Sequence, residues 1–466
     1  MVLRLGIEAT QVPVARASLP LPVILYLLAV VFPVVFNLGP IVMTLVRIVL
    51  LIMVLPMLVG LFAGRFGKLI PTDGLFLAHL IWMILALAVT TPAQVITQSG
   101  SVGVEFIGGY LMGRCYIRDR ASFLALCRWL VLLVLVSLPF ALHETMTGRP
   151  LIVETIRSIP GLTSVAVVYA EQRMGLERVQ LVFAHPIHYG LFCSVVFSMC
   201  FVALKDVFSF PRRMISSFGI MLCGFLALSS GALLAVLLQI ALIGWAATFA
   251  RIRWRWWLLV GLFVLAYAVI DIFSNRSPIR VFMSYATFSA HNAYWRGIIF
   301  EWGVKNILGD AAENIPAAVW FGIGLNDWVR PVYMYSGSMD NFWLVTAIRY
   351  GVPGLIFLSL GMILVIFHVM RRRFDGDQAL INIQRTWIFT MLGLSFTLTT
   401  VYVWSNIFSF VFFIFGAGVW LMTASPLKRS EDGATLGSND TADPKALASP
   451  YTRFDKRNRR DVPHPA

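Results

Sequence analysis

Several cations and one carboxylate in this apolar chain have the types and spacing needed to act on a phosphorylated substrate. Arg173 and Arg178 precede His185, and Arg296 stands in a Tyr-Trp-Arg-Gly stretch. A planar guanidinium group binds phosphate through two parallel hydrogen bonds. As a set, these residues predict a site for an anionic ligand. Each arginine alone is equally compatible with a surface ion pair to a nearby glutamate.

Asp340 is the carboxylate of interest, and two roles are open to it. It stands directly before Asn341 and a long apolar run. A carboxylate there can act as a general base on a hydroxyl group. Asp is also strongly preferred as a helix N-cap. Arg349 lies deeper in the same run, and Gly351 and Pro353 follow it, which predicts a kink in the helix.

The elements that position these residues are apolar helices. Hydrophobic residues make up 59% of the chain and charged residues 13%, against roughly 25% charged residues in a soluble domain. Apolar runs of bilayer length recur, and backbone in lipid must be hydrogen-bonded within its own segment. We therefore predict an all-α polytopic membrane protein with about twelve transmembrane helices. The predicted spans are 19–38, 40–63, 72–91, 100–116, 121–141, 185–204, 214–230, 231–249, 256–274, 341–368, 386–403 and 406–424.

Positive charge predicts the orientation of these spans. Lysines and arginines cluster at every second connection, and the positive-inside rule places those connections and both termini in the cytoplasm. The net charge of +14 reflects this bias and does not indicate nucleic-acid binding. The clusters are Arg65/Lys68, Arg114/Arg118/Arg120, Lys205/Arg212/Arg213, Arg251/Arg253/Arg255, Arg371/Arg372/Arg373 and Lys428/Arg429.

Two long polar segments, 142–184 and 275–340, fall on the opposite side, and they contain most of the cations of interest. Aromatic-rich stretches in them predict amphipathic, interfacial helices. The transmembrane domain is predicted to cover 1–424. The polar tail 425–466 is typical of a disordered cytoplasmic segment. The five cysteines lie outside the long polar segments and are expected to be packing residues.

Two pairs of residues have alternative interpretations. His185 and His188 share a face at a helix entry, where Pro186 suits the first turn. Zinc binding is a weak alternative, because no carboxylate or cysteine with ligand spacing accompanies them. Arg47 and Glu105 lie inside predicted spans, where charges are costly. They either pair with each other or have a functional role.

Residues 170–360 resemble the O-antigen ligase and polymerase superfamily in the order and spacing of short motifs. Two positions depart from the family pattern. The His of the ligase-type His-Asn pair is Asp340 here, which favours a polymerase over a ligase, and the Arg of a Ser-Arg-Gly turn is Ser230. The matching motifs are Arg173/Arg178 with His185-Pro186, Ser229-Ser230-Gly231-Ala232, Arg296 in Tyr-Trp-Arg-Gly, Gly322-Ile-Gly324, and Asp340-Asn341-Phe-Trp-Leu344 with Gly351-Val-Pro-Gly354.

The resemblance implies a metal-independent glycosyltransferase that needs no cofactor. Its expected substrate is an undecaprenyl-diphosphate-linked oligosaccharide, joined to another lipid-linked repeat unit at the periplasmic face of a bacterial inner membrane. The pathway would be exopolysaccharide or O-antigen biosynthesis. A chain-length-regulating co-polymerase is an implied partner, besides membrane lipid. The alternatives are an O-antigen ligase that transfers glycan to lipid A-core, and a flippase or transporter of lipid-linked sugars.

Roles for individual residues follow from this expected chemistry. Asp340 would be the base, and Arg296 would act with it in catalysis. The leaving diphosphate needs cations. Trp295, Trp302, Trp320 and Trp328 would either stack on sugars or anchor the protein at the membrane interface. The residues expected to bind the diphosphate are Arg173, Arg178, His185, Arg330 and Arg349 together with Arg296.

Overall fold

The computed structural model describes residues 18–39, 41–275, 281 and 290–426, and this part of the chain is mostly helical. Seven of the described helices are long and apolar enough to cross a membrane. The predicted helical membrane protein is confirmed in this outline. The number of about twelve spans and their orientation stay predictions. Residues 427–466 of the predicted tail, and parts of the predicted 275–340 segment, lie outside the described residues.

Each of the twelve predicted segments overlaps one of the observed helices. The fourteen α-helices of the described residues are α1 (Leu21–Val31), α2 (Leu45–Phe62), α3 (Pro71–Thr90), α4 (Val95–Tyr116), α5 (Arg120–Thr147), α6 (Leu151–Ser158), α7 (Pro186–Phe201), α8 (Phe210–Leu226), α9 (Ser230–Thr248), α10 (Arg255–Phe273), α11 (Ala290–Leu308), α12 (Phe342–Arg371), α13 (Gln378–Thr397) and α14 (Ser405–Gly416). Helices α6 and α11 lie in the two long polar segments, as predicted.

A small antiparallel sheet interrupts the first predicted span. Helix α1 ends at Val31, and the strands β1 (Val34–Leu38) and β2 (Ile41–Thr44) follow as a hairpin. A third strand, β3 (Thr163–Ser164), pairs with β1 from the first long polar segment. The helical fold therefore includes a small sheet, and the predicted span 19–38 is helical only over Leu21–Val31. The β-branched and aromatic residues of β1 favour an extended strand once a partner strand is present.

The long apolar stretch 214–249 is divided as predicted. Helix α8 ends at Leu226 and α9 begins at Ser230, with Leu228 between them in the left-handed region at φ +47°. Gly190 of α7 packs against this break, where a Cβ would meet Ala227 and Ala232. The break is therefore held by close packing.

Helix α14 lies in the core and packs closely on α4. Its residues from Phe410 to Phe415 are essentially inaccessible to solvent. A Cβ on Gly113 would overlap the carbonyl oxygen of Phe413, and one on Gly416 would overlap that of Tyr110. Small residues let helix backbones approach in this way inside membranes. All five cysteines are buried and free, in agreement with a packing role.

Arg47 and Glu105 pair, which confirms the structural interpretation of these intramembrane charges. Arg47 Nε lies 2.8 Å from Glu105 Oε1, and Glu105 is buried. The second guanidinium arm of Arg47 donates to the carbonyl oxygen of Val42 in β2. The pair therefore joins α2, α4 and the small sheet.

Candidate functional site

Asn341, and not Asp340, caps α12. The Asn341 side-chain oxygen accepts a hydrogen bond from the Leu344 N–H at 3.0 Å. Asp340 instead accepts one from the Ser338 hydroxyl at 3.1 Å. The N-cap interpretation of Asp340 is therefore wrong, because the side chain that caps a helix accepts from an N–H of its first turn. The Asp340 carboxylate is left for another role.

Helix α12 is broken at Gly351, as the sequence predicts. Gly351 has φ +73° and ψ 175°, and a Cβ there would overlap the carbonyl oxygen of Trp320. Only glycine combines this left-handed region with so close a backbone approach. The break frees backbone carbonyl groups in the middle of an apolar helix, and these need hydrogen-bond donors.

The Gly322-Ile-Gly324 motif supplies these donors. The Ile323 N–H donates to the Ile348 carbonyl at 2.7 Å, and the Gly324 N–H donates to the Arg349 carbonyl at 3.1 Å. Gly322 and Gly324 have φ values of +66° and +65°. The motif therefore clamps the broken helix and fixes the backbone from which Arg349 projects.

A polar cavity of about 460 Å³ lies beside this clamp. That volume falls within the range of small-molecule sites, roughly 300–1,000 Å³. Three of the predicted site residues line it, and they come from the entry of α7, the loop before α12, and α12 itself. The polar residues of its wall include His185, Asn326, Asp327, Ser338, Asp340 and Arg349.

His185 caps α7, with Pro186 in the first turn as predicted. Its Nδ1 accepts a hydrogen bond from the Ile187 N–H at 3.2 Å. Burial, aided by the nearby guanidinium group of Arg178, lowers the pKa of His185 to about 4, while the Asp340 carboxylate opposes the shift. The ring is therefore neutral near pH 7. Because Nδ1 accepts, the ring proton is on Nε2, which can donate to a ligand.

Arg173 and Arg178 lie together on a short hairpin that is anchored on the α8–α9 break. Arg173 Nη1 donates to the Leu228 carbonyl at 2.6 Å, and Arg178 Nε donates to that of Ala227 at 3.5 Å. Burial, with a contribution from the neighbouring Arg173, lowers the pKa of Arg178 to about 10. The two half-buried guanidinium groups repel each other, and an anion bound between them would relieve this repulsion.

Arg296 on α11 joins the same group. Burial lowers its pKa, the Asp340 carboxylate acts to raise it, and Arg173 lowers it further. Its Nη1 is buried without a hydrogen-bond partner among the described residues. Arg173, Arg178 and Arg296 (hereafter the cationic cluster) therefore lie within electrostatic range of His185 or Asp340.

The other two predicted cations have partners within the protein. Arg330 pairs with Asp327 at 2.6 Å and also donates to the Met334 carbonyl at 3.2 Å. Its hydrogen bond lowers the pKa of Asp327. Arg349 donates to the Tyr402 hydroxyl at 2.9 Å while lining the cavity. Arg330 organises the loop before α12, and Arg349 presents a positive charge to the cavity.

Tyr402 and Trp404 also line the cavity, and the sequence analysis missed both. The predicted span 386–403 ended too late, since α13 stops at Thr397. The chain then runs without helix to Ser405, whose φ is +56°. The buried His188 ring packs on Trp404, with 4.1 Å between the two ring centroids. Three threonines (Thr397, Thr399 and Thr400), followed by Val401, lie at the end of this apolar segment. They were the available signal, because β-branched residues weaken a helix.

An apolar groove of about 600 Å³ lies between α2, α3 and α4. Asp73 and Tyr110 mark one end, and Val95 and Ser99 mark the other. At that second end, α3 meets the cavity wall, since a Cβ on Gly324 would overlap the side chains of Thr90 and Thr91. The groove and the polar cavity are therefore neighbours on either side of this contact.

No known family model and no curated protein matches the chain. Among the described residues, no group of three or more His, Cys, Asp or Glu is arranged to hold a metal ion. The inference of function therefore depends on the geometry of the cavity and the cationic cluster.

Proposed function

We propose that this protein is a membrane glycosyltransferase that joins lipid-diphosphate-linked glycan repeat units at the periplasmic face of a bacterial inner membrane. The observation that carries the proposal is the electrostatic interaction of the buried Arg296 with both Arg173 and Asp340, a carboxylate that caps no helix. A diphosphate leaving group needs cations, and an acceptor hydroxyl group needs a base. The resemblance to the O-antigen ligase and polymerase superfamily supports the same assignment.

The reaction follows from the charges. Asp340 takes the proton of the acceptor hydroxyl group while the hydroxyl oxygen forms a bond to the anomeric carbon of the donor sugar. The bond from that carbon to the diphosphate breaks, and the electron pair leaves with the diphosphate. The cationic cluster stabilises the growing negative charge, and the Nε2–H of neutral His185 can donate to a phosphate oxygen. Arg349 adds a positive charge deeper in the cavity.

The groove between α2, α3 and α4 supports a lipid-linked substrate. Its wall is almost entirely apolar, and its second end lies next to the polar cavity. A polyprenyl chain would fit there while its diphosphate reaches the cationic cluster.

A deletion strain complemented with variants tests the proposal. Arg296→Ala is expected to abolish the polymer at unchanged protein level, since its buried guanidinium group interacts electrostatically with Asp340 and Arg173. Arg149→Ala is the matched control, because Arg149 is an exposed arginine of the predicted periplasmic side paired only with Glu154 among the described residues. Polymer of normal length in the Arg296→Ala strain would refute the diphosphate assignment.

The glycans that accumulate in the deletion strain separate the related functions. Single repeat units transferred to lipid A-core support a polymerase. Long lipid-linked polymer that stays unattached indicates a ligase with the same chemistry. Repeat units retained on the cytoplasmic leaflet indicate a flippase, and would overturn the enzyme proposal.

A further inference from the structure

Three aromatic rings form a row at the start of α11 and in the loop before α12. The ring centroids of Tyr294 and Trp295 are 6.0 Å apart, and those of Trp295 and Tyr333 are 6.1 Å apart. These distances are typical of interacting aromatic pairs. Tyr294 is 62% exposed and Tyr333 is 57% exposed. The row (Tyr294, Trp295 and Tyr333) therefore presents ring surface to its surroundings.

The row is continuous with the proposed active site. Trp295 precedes Arg296 in α11, and it packs against the apolar group that contains Trp328 and Met339. Trp328 and Met339 also line the polar cavity, next to Asp340. A chain of sugars whose end reaches Asp340 would therefore pass over the row.

The loop that holds Tyr333 is fixed before any ligand binds. Arg330 bridges Asp327 and the Met334 carbonyl, and the Trp328 indole N–H donates to the Gly337 carbonyl at 3.0 Å. A fixed surface loses little conformational entropy on binding. By fixing this loop, the contacts of Arg330 hold Tyr333 beside Trp295 and so help to form the aromatic row.

We propose that the row is a subsite for the acceptor glycan, which binds the sugars beyond the one that reacts. This inference rests on the proposed polymerase function. A pyranose ring has an apolar C–H face that suits an aromatic surface, and a polar rim that needs hydrogen bonds. Asn326, Asp327 and Ser338 line the adjoining cavity and supply such polar groups.

The polar neighbours distinguish a glycan from a lipid surface as the occupant. Asn326 and Asp327 are exposed, and the Arg330 guanidinium holds the pKa of Asp327 below its usual range. A charged carboxylate in the adjoining cavity would be costly to bury in lipid. The Asp327 carboxylate would be favourable beside a glycan, because sugar hydroxyl groups donate hydrogen bonds to a carboxylate.

The test measures binding of soluble oligosaccharides, released from the lipid-linked glycan of the host cells, to the full-length protein in nanodiscs. Tyr294→Ala and Tyr333→Ala are each expected to raise Kd by about threefold to tenfold, the effect of losing one ring contact. Tyr335→Ala is the matched control. It lies in the same loop and is 94% exposed, and it is expected to leave Kd unchanged.

A kinetic measurement separates this inference from the proposed function. In a polymerisation assay, the two tyrosine variants should raise KM for the acceptor and leave kcat unchanged. If the wild-type protein makes no polymer but binds the oligosaccharide through the row, the subsite stands and the polymerase proposal fails. If the polymer forms and both variants keep the wild-type Kd and KM, the row is not a glycan subsite. Quenching of Trp295 fluorescence by brominated lipid, with unchanged glycan binding in the variants, would assign the row to membrane anchoring instead.

Discussion

Replacing Glu144 with alanine should release the segment that holds the cationic cluster. Glu144 is buried at the end of α5, and its carboxylate accepts hydrogen bonds from the backbone N–H groups of Gln180 at 2.7 Å and Leu181 at 3.0 Å. Leu181 has φ +56°, a conformation that is costly for leucine and persists only under such restraint. This anchor lies between Arg178 and His185 in the chain, so it fixes both residues.

The expected loss of stability follows from the two backbone N–H groups that lose their acceptor. A buried N–H group without an acceptor costs roughly 1–3 kcal/mol. Glu144→Ala leaves two of them and should therefore destabilise the protein by about 2–6 kcal/mol. Glu144→Gln keeps one side-chain oxygen as an acceptor, and its loss should be smaller.

Thermal unfolding in detergent and limited trypsin digestion check this prediction. Glu144→Ala should lower Tm and speed cleavage after Arg173 and Arg178, which become accessible when the hairpin loosens. Glu154→Ala is the control, because Glu154 pairs only with the exposed Arg149 among the described residues. The reasoning would be refuted by a Glu144→Ala protein with the Tm and the tryptic cleavage rate of the wild type.

Three further predictions concern the site itself. Asp340→Asn should abolish polymer formation while Tm stays unchanged, because the adjacent Asn341 caps α12; a lowered Tm would return Asp340 to a structural role. Gly351→Ala should prevent accumulation of folded protein, measured by size-exclusion chromatography of the detergent extract, since its Cβ overlaps a backbone carbonyl. Gly244→Ala, in open space on α9, should have no such effect. Folding lowers the pKa of His185 from 6.5 to about 4. Between these pH values the unfolded state therefore binds more protons than the folded state. The contribution of His185 to the free energy of unfolding should rise with pH through this window and level off above it. His185→Asn keeps a good N-cap residue and should flatten this part of the Tm–pH curve; an unchanged slope would contradict the shift.

The features that could be predicted from the sequence depend on neighbouring residues. Apolar runs predicted the helices because burial in lipid depends on composition over one helix length. Ser229 and Gly351 predicted chain breaks because local backbone conformation is a property of the residue type. The His185-Pro186 helix entry follows the same logic.

Errors arose where a distant segment decided the outcome. The end of the first predicted span became strand β1, which pairs with Thr163 and Ser164, far along the chain. Arg330, predicted to bind the diphosphate, also pairs with the nearby Asp327 in the folded loop, and its predicted role stays a prediction. The cap moved by one residue, from Asp340 to Asn341, because both types suit the role and only the backbone direction selects one.

By itself, the sequence determined the class of the protein, a helical membrane protein, and the set of residues able to carry charge chemistry. Hydrophobicity and residue type are local properties, and they suffice for that conclusion. The tertiary structure decided that Arg296 interacts electrostatically with Arg173 and with Asp340, and that Tyr402 joins Arg349 at the cavity. These contacts join the α8–α9 break, α11, α12 and the chain after α13. They depend on how the helices pack, which no local pattern encodes.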